Sequence, residues 1–376
     1  MSVTIRENVD VIAVSGRQPG RRTPTERKSL RTVDVVIPCY NYGRYLKTSV
    51  NSVLSQVGVE VRVLVIDDAS SDDSEAIAGK LASAESRVTF RKHAVNKGHI
   101  ATYNEGLIEW SEADHTVLLS ADDMLAPGSL SRAVAIMDAD ERIGMVYGQA
   151  IHFKDEAELP VQEKRLQFSH RRWSGADWLE ERCRAAHNVI TSPEVVVRRR
   201  VQQKVGGYRP ELPHAGDLEM WLRIAAVSDI AYVRRTQAYY RVHASSMMRT
   251  VYRGSFFDLQ QRKLVFDKFY QNHRDILADA DRLYELANRA LAREALWDAC
   301  RAYDRDEVEA SHAAEIVEFA TTTYSAANTL PEYSALRRRR ALGPLICNRT
   351  QVFAIPALVR KAHRWALKER WKRQGV

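Results

Sequence analysis

The chain has 376 residues, of which 45% are hydrophobic and 28% charged, a balance that is ordinary for a folded protein and excludes disorder as its main state. Its apolar runs all fall short of the roughly 18 residues needed to cross a bilayer, and its first residues lack the apolar core of a signal peptide. We therefore expect a cytoplasmic protein. The length allows two domains, or one large domain with an appendage.

The net charge of +8 is carried by the two ends of the chain. Residues 1–31 have a net charge of +4 and residues 337–376 one of +11, which leaves −7 for the part between them. An acidic body does not suit a nucleic-acid groove, so we expect no nucleic-acid partner. The basic C-terminal end, by contrast, suits contact with an acidic surface.

Strands and helices alternate over the first part of the predicted fold. The stretch VDVVIP (33–38) is typical of a strand buried on both faces, and YLKTSVNSVLSQ (45–56) of an amphipathic helix. Further strands are predicted in VRVLVIDDAS, RVTFRKH and HTVLLS, each followed by a helical pattern: SDDSEAIAGKLAS, IATYNEGLIEWS and GSLSRAVAIMDA. This order predicts a doubly wound α/β sheet whose ligand lies beyond the carboxyl ends of the strands.

Four segments make up the predicted domain organisation. Residues 1–32 are polar, basic and rich in helix and strand breakers, which is typical of a flexible arm. Residues 33–250 hold the α/β pattern, although the alternation weakens after about residue 150. Residues 251–336 are mostly helical in pattern, and residues 337–376 form a basic amphipathic tail.

Two adjacent acids, Asp122 and Asp123, follow the fourth predicted strand in LLSADDML (118–125). Neighbouring carboxylates repel each other and are costly to desolvate, and a bound divalent cation relieves both problems. Oxygen ligands suit Mg²⁺ or Mn²⁺, which normally bridge to phosphate oxygens. The alternative is that these acids only precede and cap the next helix.

A similar pair, Asp67 and Asp68, ends the second predicted strand in VIDDASSDDS (65–74). A carboxylate at this edge accepts hydrogen bonds from a base or ribose in dinucleotide folds. The alternative is again a loop and a helix cap. Two pairs on neighbouring strand ends favour a binding site.

The loop that begins with Asn96, Lys97 and Gly98 lies between a predicted strand and a predicted helix. Glycine lets the backbone approach a ligand, and a helix N-terminus with a lysine suits a phosphate group. A turn with an ordinary surface lysine is the alternative.

The stretch GGYRPELPHAGDLEMWLRIA (206–225) places Asp217 at the start of a helix whose buried stripe includes Leu218, Trp221 and Leu222. The helix dipole favours an ionised carboxylate at this position. An ionised carboxylate held over a pocket is what a general base for a hydroxyl nucleophile requires. The alternative is that Asp217 only caps the helix.

Five motifs in this order resemble those of the family 2 inverting glycosyltransferases over about residues 33–245: VVIPCYNYGRYL, VLVIDDASSDDS, NKGHIATYNEG, LLSADD and GGYRPELPHAGDLEMWLR. The resemblance ends near YYRVHASSMM. It implies the glycosyltransferase A (nucleotide-diphospho-sugar transferase) fold, a mostly parallel sheet flanked by helices, here with a C-terminal α-helical appendage. The implied activity is inverting transfer of a sugar from a nucleotide-diphosphate donor, with a UDP-sugar favoured, to a hydroxyl of a glycan or lipid-linked acceptor in surface polysaccharide synthesis.

The resemblance also implies roles for individual residues. The donor site would comprise Pro38, Tyr40, Asn41, Asp67, Asp68, Asn96, Lys97, Gly98 and Asp122. Asp122 and Asp123 would bind Mg²⁺ or Mn²⁺, and Lys97 would stabilise charge on the departing diphosphate. Asp217 matches the catalytic base, which would deprotonate the acceptor in a single displacement. Candidates for the acceptor or diphosphate side are Trp221, His187, His214 and His243.

Three positions depart from the family pattern. Ser120 stands where the family's metal motif has its first acid, Gly216 where a glutamate commonly precedes the base, and Tyr103 where an arginine is usual. The first departure leaves open which acid ligates the metal. The third removes one expected polar contact.

The tail VFAIPALVRKAHRWALKERWKRQ (352–374) repeats a basic residue every four positions on one helical face: Arg360, Arg364, Lys368 and Lys372. Such a face suits peripheral contact with the anionic inner face of the plasma membrane, where lipid-linked acceptors are found. A helix docked on the protein by its apolar side is the alternative. Trp371 does not fit the apolar stripe.

Two rival functions remain open from the sequence. A non-catalytic nucleotide-sugar or glycan binding module on the same fold would lose Asp217 or both metal acids, and all three are present. A nucleotidyltransferase would show a loop rich in glycine and basic residues straight after the first strand, where PCYNYGRY has only Gly43 as glycine.

Overall fold

The computed structural model describes residues 30–160, 168–243 and 255–376. Nine strands form one sheet within these residues: β1 (Thr32–Cys39), β2 (Glu60–Asp67), β3 (Val88–Lys92), β4 (His115–Leu118), β5 (Met124–Leu125), β6 (Ile143–Phe153), β7 (His170–Trp173), β8 (Val196–Arg198) and β9 (Asp229–Arg241). The predicted basic arm over residues 1–32 lies almost wholly outside the described residues.

Helices cover both faces of this sheet and continue beyond it. Those of the α/β part are α1 (Gly43–Leu54), α2 (Ser74–Ala84), α3 (His99–Asn104), α4 (Ser129–Ala139), α5 (Gly175–Ala185), α6 (Arg199–Val205) and α7 (Gly216–Val227). Helix α3 continues as a π-helical segment over Glu105–Trp110. Six more follow: α8 (Ser255–His273), α9 (Ala280–Arg305), α10 (Ala313–Thr323), α11 (Pro331–Leu342), α12 (Pro344–Thr350) and α13 (Ala354–Gln374).

The sheet flanked by helices that the sequence predicted is present, and it is mixed: a parallel first half is followed by a second half that includes antiparallel pairs. Its order is β3-β2-β1-β4-β8-β6-β9-β5, with β7 paired to β9. Strands β1 to β4 are mutually parallel, and β6 runs parallel to β9. The antiparallel pairs all involve β8 or β9. The reversal begins at β8, which inserts between β4 and β6 after the strand–helix alternation of the sequence has ended.

Both faces of the sheet are buried, as the apolar runs of the sequence predict. In β1, Val33, Val35 and Ile37 pack on one side of the sheet, while Val36 packs on the other. Because successive side chains of a strand point to opposite faces, a continuous β-branched run feeds two cores at once. A strand of this kind is covered on both faces, and the polar residues at its end are the ones that reach solvent.

The C-terminal helices share a core with the sheet. Helix α9 packs against α5 and α8 on one side and against α10, α11 and α12 on the other. Its Leu291 and Leu296 belong to the same apolar cluster as Trp178 of α5 and Trp221 of α7. The helical appendage is therefore built onto the helices that border the site.

The last turn of α13 docks on the sheet through its backbone carbonyls. Tyr232 Oη donates to the Lys372 carbonyl (2.8 Å) and Trp173 Nε1 to the Gln374 carbonyl (2.9 Å). A salt bridge joins Arg370 to Glu181 (2.9 Å). These bonds satisfy carbonyls that a helix C-terminus otherwise leaves without partners. In the described part of the chain, no helix has the length and apolarity needed to cross a membrane.

Candidate active site

A cavity of about 760 Å³ opens beyond the carboxyl ends of β1, β2 and β4. It lies between these strand ends and the first turns of α3 and α7. The predicted donor residues that line it are Pro38, Tyr40, Asn41, Asp68, Asn96, Gly98 and Asp122, and Asp123, His214 and Asp217 line it as well. Motifs that are far apart in sequence thus meet in one pocket.

The loop after β1 is fastened to the loop after β2 by Asn41. The Asn41 backbone has a positive φ of 60°, a conformation that asparagine tolerates better than most residues. Its N–H donates to Ser70 Oγ (2.9 Å), and its Oδ1 accepts from the Ser71 N–H (2.8 Å). Next to it, the side chain of Tyr40 is half exposed at the pocket rim.

Only one of the two acids after β2 reaches the pocket. Asp68 lines the cavity, and its carboxylate accepts from the Lys97 N–H (2.8 Å), the Gly98 N–H (2.9 Å) and His93 (2.7 Å). Asp67 is fully buried beneath the strand end, with Oδ1 lacking a partner among the described residues. Asp68 therefore fixes the 96–98 loop against β2, whereas Asp67 lies behind the pocket wall.

The side chain of Lys97, which the sequence predicted at the diphosphate, is not part of the pocket lining. Its Nζ lies 3.4 Å from Glu105 Oε2. Glu105 begins the π-helical segment that continues α3, whereas Lys97 lies in the loop before α3. The neighbouring Gly98, with φ 84°, turns the backbone toward the pocket as expected of a glycine there.

Asp122 and Asp123 have different surroundings. Asp122 Oδ2 lies 2.9 Å from His243 Nε2 at the pocket wall. Asp123 is only 2% exposed, and its Oδ1 accepts from the Arg241 backbone N–H (2.8 Å). Burial, followed by the nearby charge of Asp122, raises the pKa of Asp123 well above its usual range. Asp122 is the more exposed of the two, and one Asp123 oxygen is engaged by the backbone, so Asp122 is better placed to bind a metal ion.

His243 is placed beside the acid pair. Its ring contacts Tyr42 at 5.4 Å and Tyr45 at 5.6 Å between centroids. These aromatic neighbours hold the imidazole in place.

The pocket is acidic. Among the described residues that line it are the carboxylates of Asp68, Asp122, Asp123 and Asp217, against one arginine, Arg44. A diphosphate entering this pocket meets net negative charge, which a divalent cation would neutralise. No three His, Cys, Asp or Glu side chains within the described ranges form a ready-made metal cage. Asp122 and His243 still fit Mg²⁺ or Mn²⁺, because an ion that bridges substrate phosphates needs only one or two protein ligands.

Asp217 lies at the first turn of α7, as predicted, and faces into the pocket. Its Oδ2 accepts a 2.5 Å hydrogen bond from Ser192 Oγ, and Tyr208 donates a second bond to the carboxylate. Burial raises the pKa of Asp217 above its usual value, and the two hydrogen bonds and the charge of His99 offset part of that rise. Burial thus outweighs the helix dipole, and a raised pKa makes the carboxylate a stronger base.

The two residues that hold Asp217 were missed by the sequence analysis. Ser192 has a positive φ of 94°, which is unusual for a serine and aims its hydroxyl at the carboxylate. Tyr208 is clamped by Asn104, which accepts from the Tyr208 N–H (2.7 Å) and donates to its carbonyl (2.8 Å). The amide of Asn104 lies so near Gly207 that a Cβ there would approach its Oδ1 to 2.3 Å. Only Tyr208 carried a sequence signal, as part of the GGYRP motif.

A buried glutamate, Glu194, lies behind this loop and was also missed. It is 1% exposed, and its Oε1 accepts from the Thr191 N–H (2.7 Å) and Oγ1 (2.9 Å). Burial raises the pKa of Glu194 to about 7, although its bonds to Thr191 lower it. The negative charge of Asp217 adds to the rise. Glu194 thus anchors the segment that carries Ser192.

Replacing Glu194 by glutamine is expected to raise the free energy of unfolding at pH 8 by up to about 3 kcal/mol, and by less than about 1 kcal/mol at pH 5. In the folded chain the carboxyl keeps its proton up to about pH 7, whereas in the unfolded chain it loses it near 4.5. The free energy of unfolding of the wild type therefore decreases as the pH rises from 4.5 to about 7. Denaturant unfolding at both pH values measures the difference. Glutamine can still accept the bonds from Thr191, so the substitution removes the ionisable group and keeps these contacts.

The matched control is Glu211→Gln, which changes an exposed glutamate and should leave the unfolding free energy unchanged at both pH values. An equal effect of Glu194→Gln at pH 5 and pH 8 would contradict a titrating buried carboxyl.

Trp221 is not on the acceptor side. It is 3% exposed and packs in the core behind Tyr208, because it lies on the inner stripe of α7. On the same helix, Glu219 is fully buried between Arg209 (2.7 Å) and Arg223 (2.9 Å), and Arg223 also donates to the Gly207 carbonyl (2.8 Å). This network ties the helix that carries Asp217 to the turn before it.

The remaining histidine candidates are held by the C-terminal helices. His214 lines the pocket, and its Nε2 lies 3.1 Å from Asp258 of α8. His187 lines a separate cavity beside α9. Tyr103, which replaces an expected arginine, packs edge-on against Tyr208 with ring centroids 5.4 Å apart. Helix α8 thus positions one side of the pocket.

Comparisons with known proteins agree with this architecture. Residues 34–200 match the sequence model of Glycosyl transferase family 2. The uncharacterized protein MT1568 of Mycobacterium tuberculosis is 27% identical over 213 residues, which cover 54% of this chain and 64% of that protein. The glycosyltransferase GlyG of Streptococcus pneumoniae is 28% identical over 155 residues, 39% of this chain and 51% of its own length. The chain thus spans only part of the length of these relatives.

Solved structures share the fold at low sequence identity. Residues 1–349 of Staphylococcus aureus TarS, in complex with UDP-GlcNAc, match with a TM-score of 0.60 at 14% identity, over 87% of this chain and 92% of that one. The mannosyltransferase PcManGT of Pyrobaculum calidifontis, in complex with GDP-Man and Mn²⁺, matches with a TM-score of 0.50 at 17% identity, over 89% and 87%. The resemblance drawn from the motifs is thereby confirmed: residues 34–200 match Glycosyl transferase family 2, and the chain has the glycosyltransferase A fold.

Proposed function

We propose that the chain catalyses inverting transfer of a sugar from a nucleotide-diphosphate donor to a hydroxyl of a glycan or lipid-linked acceptor, in surface polysaccharide synthesis. The observation that carries this proposal is the meeting of Asp217 with Asp68 and Asp122 in one cavity at the strand ends. One carboxylate held for proton removal and others held at the nucleotide edge are what such a transfer requires.

The donor lies along the β1 and β2 ends in this proposal. Pro38, Tyr40 and Asn41 border the nucleotide, and Asp68, with the Asn96–Gly98 loop that it fixes, borders the base. A UDP-sugar is favoured, and the UDP-GlcNAc bound by TarS supports that choice at the level of the shared fold. GDP-Man, bound by PcManGT, represents the second donor class to be tested.

Asp217 is the proposed general base. It takes the proton of the acceptor hydroxyl, whose oxygen forms a bond to the anomeric carbon while the bond from that carbon to the diphosphate oxygen breaks. The nucleotide diphosphate leaves with the bonding electron pair, and configuration inverts in one displacement. Ser192 and Tyr208 keep the carboxylate aimed at the acceptor.

Mg²⁺ or Mn²⁺ is the proposed cofactor, held by Asp122 and His243. When bound, it would neutralise the charge that develops on the leaving diphosphate. Asp123 supports the site from behind through its bond to the Arg241 backbone. Without a cation, the four carboxylates that line the pocket would repel the donor.

We also propose peripheral contact of residues 352–374 with an anionic membrane at the cytoplasmic face. The side chains of Leu358 and Trp365 are about two thirds exposed, and those of Lys368 and Lys372 are exposed as well. The docked last turn holds this helix to the protein while leaving these groups at solvent. An apolar and basic surface of this kind suits anionic lipid headgroups.

Calorimetric titration with UDP, GDP and dTDP tests the proposed donor. We expect UDP to bind, and Mn²⁺ to strengthen its affinity by about tenfold or more, which corresponds to about 1.4 kcal/mol. The same titration in a chelator provides the control, and circular dichroism confirms that the chain is folded. If none of the three nucleotides binds a folded sample, the chain is a degenerate binding module and not the proposed enzyme.

A further inference from the structure

A second cavity, of about 1400 Å³, lies between the connection that follows α5, helix α9 and the C-terminal helix α13. We refer to it as the α9 cavity. It is larger than the donor pocket, and none of the predicted donor, metal or base residues lines it. Its lining combines cationic and apolar side chains.

Cationic side chains outnumber anionic ones in the lining of the α9 cavity, by seven to three. The three carboxylates are each engaged by an arginine: Glu181 by Arg370 (2.9 Å), Glu294 by Arg262 (2.8 Å) and Asp304 by Arg339 (2.7 Å). Four of the seven cations are themselves paired with a carboxylate: Arg184 with Glu180, Arg293 with Glu332, Arg301 with Asp298 and Arg370 with Glu181. Arg182, Arg305 and Lys368 remain as lining cations without an ion pair within the described ranges.

Arg182 brings a buried guanidinium group to the lining of the α9 cavity. Its side chain is 1% exposed, its Nη1 donates to the His187 carbonyl (3.1 Å), and its Nε has no partner in the described part of the chain. No described carboxylate lies within salt-bridge distance of this guanidinium, whose pKa is lowered by burial. A buried charge without a counter-ion is strongly unfavourable, and a bound anion would relieve that cost.

The apolar part of the lining comes mainly from tryptophan and leucine. Trp297 of α9 faces the same cavity as Trp371 of α13, and Leu358 and Leu367 extend this surface along α13. Leu358 and Leu367 are 64% and 47% exposed. Exposed leucines beside arginines suit a ligand that has a hydrocarbon part next to an anionic group.

The α9 cavity adjoins the candidate active site at Thr191. Thr191 lines both cavities, and the next residue, Ser192, donates the hydrogen bond to Asp217. A ligand bound in the α9 cavity therefore lies next to the segment that holds this carboxylate. The donor occupies the opposite side of the pocket in the proposed function.

We propose that the α9 cavity binds the acceptor, and that the acceptor is an anionic amphiphile with a phosphate group close to a hydrocarbon chain. This inference rests on the proposed function, because it assigns the hydroxyl of that molecule to Asp217. Arg182, Arg305 and Lys368 hold the phosphate, and the tryptophan and leucine side chains cover the hydrocarbon.

The test is calorimetric binding of dodecyl phosphate, below its critical micelle concentration, to the full chain. We expect binding that the double variant Arg305→Ala/Lys368→Ala weakens about tenfold or more. The matched control is Arg338→Ala, an exposed arginine of α11 outside the cavity, and it should bind like the wild type. Arg182→Lys, which keeps the buried charge, should also retain binding. Equal affinity of the double variant and the wild type would overturn the site.

Two further ligands test whether the site requires both the phosphate group and the hydrocarbon chain. Inorganic phosphate should bind at least tenfold more weakly than dodecyl phosphate, and equal affinity would mean a site for a free anion. Uncharged dodecyl maltoside should also bind at least tenfold more weakly, and equal affinity would mean a purely apolar groove. Either result would overturn the proposal.

The acceptor role has its own readout, the slow hydrolysis of the donor by water. Saturating dodecyl phosphate should lower this rate at least threefold in the wild type and leave it unchanged in the double variant. Unchanged hydrolysis in both proteins would overturn the acceptor role. If dodecyl phosphate binds while no nucleotide does, the proposed function fails and the anion site stands, so the two failures are distinguishable.

Discussion

Replacing Asp217 by asparagine is expected to lower kcat for sugar transfer by about 10²–10⁴-fold, the range over which a general base contributes. Donor binding should change by less than about threefold, because asparagine has nearly the same shape and its amide oxygen can still accept the bond from Ser192. The measurements are the rate of donor turnover, including its slow hydrolysis by water, and calorimetric binding of the nucleotide.

The matched control for this substitution is Asp73→Asn, which removes the same charge from an exposed position before α2. It should leave both donor turnover and nucleotide binding unchanged. A loss of nucleotide affinity in Asp217→Asn as large as the loss of turnover would mean that Asp217 supports the pocket and does not act as the base.

The pH dependence of the rate provides a second readout of the same carboxylate. A hydrogen bond donated to a carboxylate stabilises its charged form and lowers its pKa. Ser192→Ala removes such a bond, so the acidic limb of the rate profile should move to higher pH in that variant. A purely structural role for Ser192 would lower the rate without moving the limb.

The sequence is most informative for the first half of the fold. The runs of β1, β2 and β4 are short and buried on both faces, so the pattern of apolar residues predicts these strands. The pairing of strands in the second half of the sheet is not predictable in this way. Strand β8 has three residues and β5 has two, and segments so short carry no detectable period. Their pairing is decided by tertiary contacts with β6 and β9.

The candidate site is likewise predictable from the sequence only in part. The motifs place acids at strand ends, and the structure brings Asp68, Asp122 and Asp217 into one pocket. The partners of these acids come from elsewhere in the chain. Ser192 lies 25 residues from Asp217, and His243 lies 121 residues from Asp122, so no local pattern connects them.

Lys97 is a different case, a motif residue whose side chain does not line the pocket. Its motif suits a phosphate, yet Glu105, eight residues further along the chain, pairs with its ammonium group. Charge pairing between a loop and the helix that follows it depends on where the helix begins. That geometry follows from the positive φ of Gly98, which the residue types alone do not specify.

Asp122→Asn is expected to abolish most of the Mn²⁺-dependent gain in UDP affinity, a loss of about tenfold or more, whereas the matched variant Asp123→Asn should keep that gain within about threefold. The reason is the different state of the two acids. Asp122 faces the pocket beside His243, while Asp123 is buried and its Oδ1 accepts from the Arg241 N–H, a bond that asparagine can also accept.

Titration of UDP in Mn²⁺ and in chelator, for the wild type and both variants, measures this difference directly. His243→Ala should reproduce much of the Asp122→Asn effect, because the two side chains are hydrogen-bonded and are proposed to hold the same ion. Asp123→Asn should unfold at the same denaturant concentration as the wild type, since its Oδ1 can still accept from the Arg241 N–H. Equal retention of the Mn²⁺ effect in both acid variants would mean that neither acid binds the metal-diphosphate and that the pair only shapes the turn before α4.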